Sequence, residues 1–419
     1  MKRVEDTKQG AMQELDRKKE IGRFSMEWSE KTFDELFDFL STGTNSRSDL
    51  SLYGDVGYIH YGDIHSKWNK FLDCDKEELP KISKQKVKNL PFLKEGDLIL
   101  ADASEDYVGI GACILLKNVK TRKIVSGLHT ILLRSHNAKL SPVYSAYLTS
   151  IRDVKDKLIS ITTGISVYGL SKNQLKKIKV YLPSDIKEQT TIAQILSDTD
   201  DLIQQIDYLI TKKKNIKQGA MQELLTGKRR LDGFTKKWEV KALENITNCL
   251  DNLRIPLNDS QRQKMRGDYP YCGANDVLDY VNDYVINDEF ILIAEDGGHF
   301  DEYEFRPIAY KMNGKCWVNN HAHILKAKEG FSQDFIFYSL VHKNILRFLA
   351  GGTRAKLNKS EMYKIEIDIP TDLIEQTTIA QTLLDIEVEI KELEFQRNKY
   401  NMIKEGMMQK LLTGEIRLV

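Results

Sequence analysis

From Pro183 onward, apolar positions recur at helical spacing. With Ile192 as heptad position a, the a set is Ile192, Thr199, Ile206, Lys213 and Ala220. The d set is Ile195, Leu202, Leu209 and Ile216, and Leu196, Ile203 and Ile210 widen the stripe. A second stretch repeats the pattern, with Ile379, Ile386, Leu393, Tyr400 and Met407 at a, broadened by Leu383 and Ile390. Ser184 or Asp185 suits the first cap, and Gly227 and Gly414 suit the stops. The spacing predicts two helices of about 40 residues, each about 60 Å long. A helix this long with one apolar seam needs a partner, and the natural partner is its own copy. Two ordinary core helices of one globule would fit the periodicity, but not the length of the stretches or the copying of one in the other.

The two stretches are copies at a constant offset. EQTTIAQ at 188–194 returns at 375–381, and LLTG at 224–227 returns at 411–414, both 187 residues on. Laid over each other without a gap, 182–231 and 369–418 share 24 identities in 50 positions. KQGAMQEL at 8–15 repeats 217–224, so a partial third copy opens the chain, and Trp28 then falls on Trp238. There Leu15-Asp16-Arg17-Lys18 stands where LLTG would be. A solenoid repeats every 20–50 residues or so; this period marks a duplicated two-part module. The order predicts approximate two-fold symmetry, an antiparallel helix pair and a circular arrangement.

Between the helices lie unlike blocks of mixed α and β character, so the fold class is α+β. Short apolar runs at 97–100, 113–116, 130–133, 290–293 and 323–325 predict strands, and 143–151 and 334–349 predict helices. GDLILADASED at 96–106 resembles DEFILIAEDGG at 288–298, and Gly127-Leu128-His129 parallels Asn320-His321. The blocks read as diverged versions of one fold.

Composition narrows the partners. Lys+Arg is 62 against Asp+Glu 61, which disfavours a uniformly basic nucleic-acid coat and an acidic disordered chain. Local basic runs survive this balance. Residues 81–94, 117–123 and 164–183 hold lysines and an arginine without acids, and 343–364 is basic apart from Glu361. Such loops can neutralise phosphates while Arg, Asn, Gln and Ser beside them address base edges. Any one cluster alone is more often a solvated face. The case for DNA is their presence in both blocks, with Gly-rich loops at 162–172 and 350–359. The candidate DNA-binding residues are Lys84, Lys88, Arg122, Lys123, Ser166, Tyr168, Lys172, Thr353, Arg354, Lys356 and Lys359. Ile192, Ile195, Leu202, Ile206, Leu209, Ile379, Ile386 and Leu393 are the candidates for helix pairing or subunit docking.

Catalytic signatures are missing: there is no phosphate-binding GxxxxGK[ST] loop, no GxGxxG, no methyltransferase Asn/Asp-Pro-Pro-Tyr/Phe tetrapeptide, and no HExxH or GxSxG. His321 and His323 suggest half a metal site at most, and Glu295-Asp296-Gly297-Gly298 reads as a turn after a buried strand. No metal and no cofactor is expected. The five cysteines share no CxxC spacing, and the opening residues carry no apolar signal core. A reduced, cytoplasmic chain is expected, and no run reaches the roughly 18–20 apolar residues of a membrane span.

The duplicated Pro-x-x-x-x-EQxxIA segments, the LLTG-bearing tails and the Trp28 and Trp238 module starts resemble the specificity (S) subunit of type I restriction-modification systems, over essentially the whole chain. The resemblance implies two target-recognition domains (26–183 and 228–370), each addressing one half of an asymmetric bipartite DNA site. Two long conserved helices (184–227 and 371–419, the latter with its tail) would separate them, with 1–25 as a partial helix tail. It also implies docking of two methyltransferase (M) subunits and, in the full complex, ATP-dependent restriction (R) subunits. S-adenosylmethionine, ATP and Mg would belong to those partners. The chain itself would be a non-catalytic recognition subunit acting on double-stranded DNA. A coiled-coil scaffold whose variable domains bind proteins is the alternative reading.

Overall fold

The computed structural model describes residues 28–136, 138–351 and 355–418. The partial repeat at 8–15, and Thr353 and Arg354, lie outside the described residues. Two compact units divide the chain: residues up to 205 together with 397–419, and residues 206–396.

In the first unit a five-stranded sheet runs in the order Phe37–Leu40, Thr130–Ser135, Leu98–Ala101, Cys113–Lys117, Lys70–Asp73. Neighbours are antiparallel except the last pair, which is parallel. Leu98–Ala101 is covered on both faces, which is why its sequence is an unbroken apolar run. One side packs with Tyr144, Tyr147, Leu158 and the start of the central helix. The other packs with Ile59, Ile64 and Ile124.

The second unit repeats this frame. Its sheet runs Thr247–Cys249, Ala322–Ala327, Ile286–Ala294, Ala309–Val318, Arg266–Cys272, with Val277–Val281 added at the edge. The first five strands match the first unit in order and direction, including the one parallel pair. Each block is also closed by an antiparallel clasp of its first and last strands: Trp28 lies opposite Pro183, and Trp238 opposite Pro370. The sequence expectation of two diverged versions of one fold holds at the level of strand order. Two helices differ from expectation. The 143–151 segment breaks into short turns followed by a helix at Arg152–Ser160. The 334–349 segment is helical only over Gln333–Leu340; beyond it the Asn344 side chain accepts from the Leu346 N–H and starts a tight turn.

The long helices are Ile186–Leu224 (the central helix) and Leu373–Leu411 (the C-terminal helix), 39 residues each. Asp185 and Asp372 accept the N–H of Lys187 and Ile374 and cap their starts. Gly227 and Gly414, at φ +66° and +75°, end them. A Cβ there would also sit 3.1 Å from the Trp238 and Trp28 rings, so glycine is required twice over.

Within each unit the helix segments run antiparallel. In the first, Glu188 binds Arg417 and Asp200 binds Lys404. In the second, Lys213 binds Glu389, Lys217 binds Glu387 at 3.0 Å, and Arg230 binds Glu375 at 2.6 Å. Partners therefore move in opposite directions along the two segments.

The seam sits one step from where the heptad reading put it. Ile192, Leu196, Ile206 and Ile210 are buried, as are Ile379, Leu383 and Ile390. Ile386 and Leu393 are half-buried, as is Ile195. Leu202 and Leu209 instead face outward, 36% and 42% exposed. The buried set alternates steps of four and three from Ile192, so the second seam position is Leu196-Ile203-Ile210 rather than Ile195-Leu202-Leu209. Both rows are apolar, and periodicity alone does not choose between them.

Candidate nucleic-acid interface

The repeated EQ pair holds each helix start in place. Glu188 receives two bonds from the Arg417 guanidinium, at 2.5 and 2.7 Å. Gln189 accepts the Ser141 N–H and donates to the Pro183 carbonyl. In the second unit Glu375 receives the Arg230 guanidinium at 2.9 and 2.6 Å, and Gln376 accepts the Ser332 N–H and donates to Pro370. Every partner is displaced by 187 residues except the Ser141/Ser332 pair, which belongs to the diverged blocks. Such bidentate pairs are directional and charge-assisted, so they fix angle as well as distance. One row further in, Tyr147 donates to Asp200 and Tyr338 to Glu387. Burial would raise the Glu387 carboxyl, but the Lys217 and Lys391 ammonium groups outweigh it and hold it low. Sequence reading recognised the motif but missed its role. The available signal was that Arg230 and Arg417 share the 187-residue offset, beyond the glycine stops.

Above this frame the blocks present their loops. Lys84, in the tight turn Lys84–Val87, and Lys88 are exposed, as are Arg122 and Lys123. Arg122 donates to the Glu77 carbonyl at 3.2 Å, which orients its guanidinium. Ser166 is exposed in a turn that Gly164 enters at φ +120°, and Tyr168 packs on Tyr107 with ring centroids 4.4 Å apart. Lys172 is half-buried and turned back to the Leu40 carbonyl at 3.3 Å, so it braces a strand end. Its repeat counterpart Lys359 is exposed over the Tyr363 ring. The Lys356 ammonium lies 2.8 Å from Glu295. Lys172 and Lys356 thus already hold partners within the protein, whereas Lys84, Lys88 and Lys123 project from the surface.

Both blocks anchor the matching Gly-rich loop by the same backbone lattice. In the first, the Asp102 N–H donates to the His129 carbonyl and the Leu170 N–H to the Asp102 carbonyl. In the second, the Glu295 N–H donates to the His321 carbonyl and the Leu357 N–H to the Glu295 carbonyl. The side chains differ. Beside that lattice the first block has the half-exposed His129–Asp102 pair at 3.1 Å. The second joins the half-buried Asp251 and Arg254 to the buried Glu295 and His323, with His321 paired to Asp296 at the rim. Sequence reading singled out His321, His323 and Glu295-Asp296 but missed Asp251 and Arg254, which lie far from them in the chain.

Cys249, Asp251 and His323 are close enough to be tested as a metal site. The donor set does not suit one. Arg254 contacts both Asp251 and Glu295, placing a cation against the carboxylates already. Burial and the neighbouring Asp251 charge push the Cys249 thiol up to about 12, away from the thiolate a metal needs. His321 and His323 address different carboxylates, Asp296 and Asp251.

On the helices an apolar row remains uncovered. In the second unit Tyr208, Leu209, Ile216, Val388 and Phe395 are 42–67% exposed. In the first, Leu202 and Met402 are exposed too. Among the described residues, no helix is long and apolar enough to cross a membrane.

Known proteins place this architecture. A Haemophilus influenzae protein assigned as a type I restriction enzyme specificity subunit is 40% identical over 153 residues, 36% of this chain and 38% of that one. The chain thus spans little more than a third of that relative. The MjaX specificity subunit assigned in Methanocaldococcus jannaschii is 27% identical over 430 residues, 96% of both chains. The fold matches the crystal structure of the type I restriction-modification S subunit from M. genitalium, with a TM-score of 0.63 at 14% identity over 92% of this chain and 96% of that one. Residues 26–217 and 235–400 match the type I restriction modification DNA specificity domain, so the chain belongs to the type I restriction-modification specificity-subunit family.

Proposed function

We propose that the chain recognises an asymmetric, bipartite double-stranded DNA site and carries methyltransferase subunits to it. The observation that supports this most is the pairing of one shared sheet order with unlike loop chemistry in the two units. Blocks 26–183 and 228–370 act as the two target-recognition domains. In the first, Lys84, Lys88, Arg122, Lys123, Ser166 and Tyr168 are the contact candidates. In the second they are Thr353, Arg354 and Lys359. Phosphate contacts set register, and a few side chains address base edges. Lys172 and Lys356 serve instead to hold the loops.

The helices at 184–227 and 371–419 set the spacing between half-sites and present the docking face. Exposed apolar residues on a helix pair mark a protein interaction surface, and Tyr208, Leu209, Ile216, Val388 and Phe395 are exposed, Leu209 with Ile216 and Val388 with Phe395 at seven-residue spacing. Helices of the methyltransferase subunits are its proposed occupants, with restriction subunits joining in the full complex. Methyl transfer and cleavage reside in those partners, in keeping with the missing catalytic motifs.

The test is a genome-wide map of methylated sites in cells with and without this gene. Two unlike short sequences at a fixed separation are expected. Unchanged methylation, or a single uninterrupted motif, would overturn the proposal.

A further inference from the structure

The buried charged set in the second unit is not demanded by the fold. His323 lies opposite Ile293 in the sheet, and Ile131 lies opposite Leu100 at the matching place in the first unit. Ile131 is fully buried in an apolar cluster. The same backbone lattice holds both loops. At this one sheet position the first unit places hydrocarbon and the second an imidazole set among ion pairs.

The geometry around His323 fixes its orientation. Its side chain is 2% exposed. Nδ1 lies 2.6 Å from the Asp251 carboxylate, and Nε2 lies 2.8 Å from the Leu357 carbonyl. Asp251 also accepts the Ile324 N–H at 3.0 Å and meets Arg254 at 3.2 Å. Glu295 lies 3.7 Å from His323 Nδ1, touches Arg254 and receives Lys356 at 2.8 Å. Burying such charges brings little net stability compared with an apolar core of the same shape. What it supplies is direction: each bond has one geometry.

All of these bonds converge on one segment. The Leu357 carbonyl is held by His323, its N–H by the Glu295 carbonyl, and the Lys356 ammonium by the Glu295 carboxylate. Lys356 also bridges Asp296 through the backbone. This segment comes directly after Thr353 and Arg354 in sequence.

We propose that His323, through Asp251 and Glu295, is a positioning residue that sets where the second recognition loop meets its half-site, and so sets the sequence specificity of that half alone. The proposal rests on the DNA-recognition reading. It assigns discrimination between bases to a histidine that touches no DNA, and it expects the first unit to lack such control.

The test uses the complex assembled with its methyltransferase subunits and a duplex library randomised in each half-site in turn, read by sequencing the methylated molecules. Two variants are compared with the parent chain. D251S/H323I transplants the first unit's own residues, Ser41 and Ile131, at the matching positions. H323Q keeps an amide donor for the Leu357 carbonyl but loses the ring that also reaches Asp251. The transplant is expected to lower discrimination at the second half-site about tenfold, the scale of one base contact, and to leave the first half-site unchanged. H323Q should fall between the transplant and the parent. Unchanged discrimination at the second half-site in H323Q or in the transplant would overturn the proposal, as would equal losses at both half-sites. If the parent complex itself shows no sequence preference, the DNA-recognition reading fails, and this proposal fails with it. Should the transplant not fold, H323Q decides alone.

Discussion

Two places in the molecule show opposite uses of a duplicated frame. At the helix starts, Glu188 with Arg417 and Glu375 with Arg230 are the same contact made twice, 187 residues apart. At the base of the Gly-rich loops, Ile131 and His323 occupy one sheet position and have nothing chemically in common. The first kind of site fixes how helices and blocks join, and both copies must do that alike. The second lies beneath the surfaces proposed to differ in their targets. Divergence has entered where specificity would be set and has spared the joints. Even the joints are not perfect copies. The Trp238 indole donates to Glu375 at 3.2 Å, whereas the Trp28 indole finds no acceptor among the described residues.

Breaking the shared part should cost most. Ile206→Asp places a charge in the seam at a position 5% exposed, and a destabilisation of about 3–5 kcal/mol is expected in denaturant unfolding. Leu202→Asp, at 36% exposure, should stay within about 1 kcal/mol. Equal effects would return the seam to the heptad position read from the sequence. Next come Glu188→Ala and Glu375→Ala. Each removes a buried carboxylate from a half-buried guanidinium, and both should lower stability measurably in denaturant unfolding. The two losses should agree within about 1 kcal/mol, and a large difference would show that the joints are not equivalent.

The helix face separates assembly from stability. Leu209→Glu with Phe395→Glu should abolish co-purification of methyltransferase subunits while leaving the unfolding midpoint nearly unchanged, because both side chains are exposed. A matching loss of stability would place them in the core instead. The smallest effect concerns acid. The Glu387 carboxyl is held low in the folded protein, so its contribution is complete above the ordinary glutamate range and disappears as pH falls through its lowered value. Glu387→Gln should flatten that acid limb in unfolding measured as a function of pH. An unaltered limb would mean that the Lys217 contact contributes nothing.

Much of the frame was legible because it is written twice. The EQTTIAQ and LLTG copies locate both helices, their caps and their glycine stops without any structure. Leu98–Ala101 and Thr130–Ser135 were visible as runs of apolar residues, because buried strands tolerate little else. The strands Lys70–Asp73 and Arg266–Cys272 were not. Polar residues, glycine or proline interrupt their apolar pattern, and their parallel pairing depends on partners some 45 residues away, in Cys113–Lys117 and Ala309–Val318. Composition identifies Lys172 and Lys356 as basic but does not show that their ammonium groups lie against the Leu40 carbonyl and the Glu295 carboxylate. The Asp251–His323 contact joins residues 72 apart and leaves no periodic trace.

The central claim is that two unlike readers are set apart by a helix pair of fixed length. Inserting the same four helix-forming residues after Gln205 and after Glu392 lengthens each helix by about 6 Å, close to two base-pair steps at about 3.4 Å. Methylation mapping of the resulting complex should return the same two half-site sequences with about two more base pairs between them. The same half-sites at the original separation would contradict it.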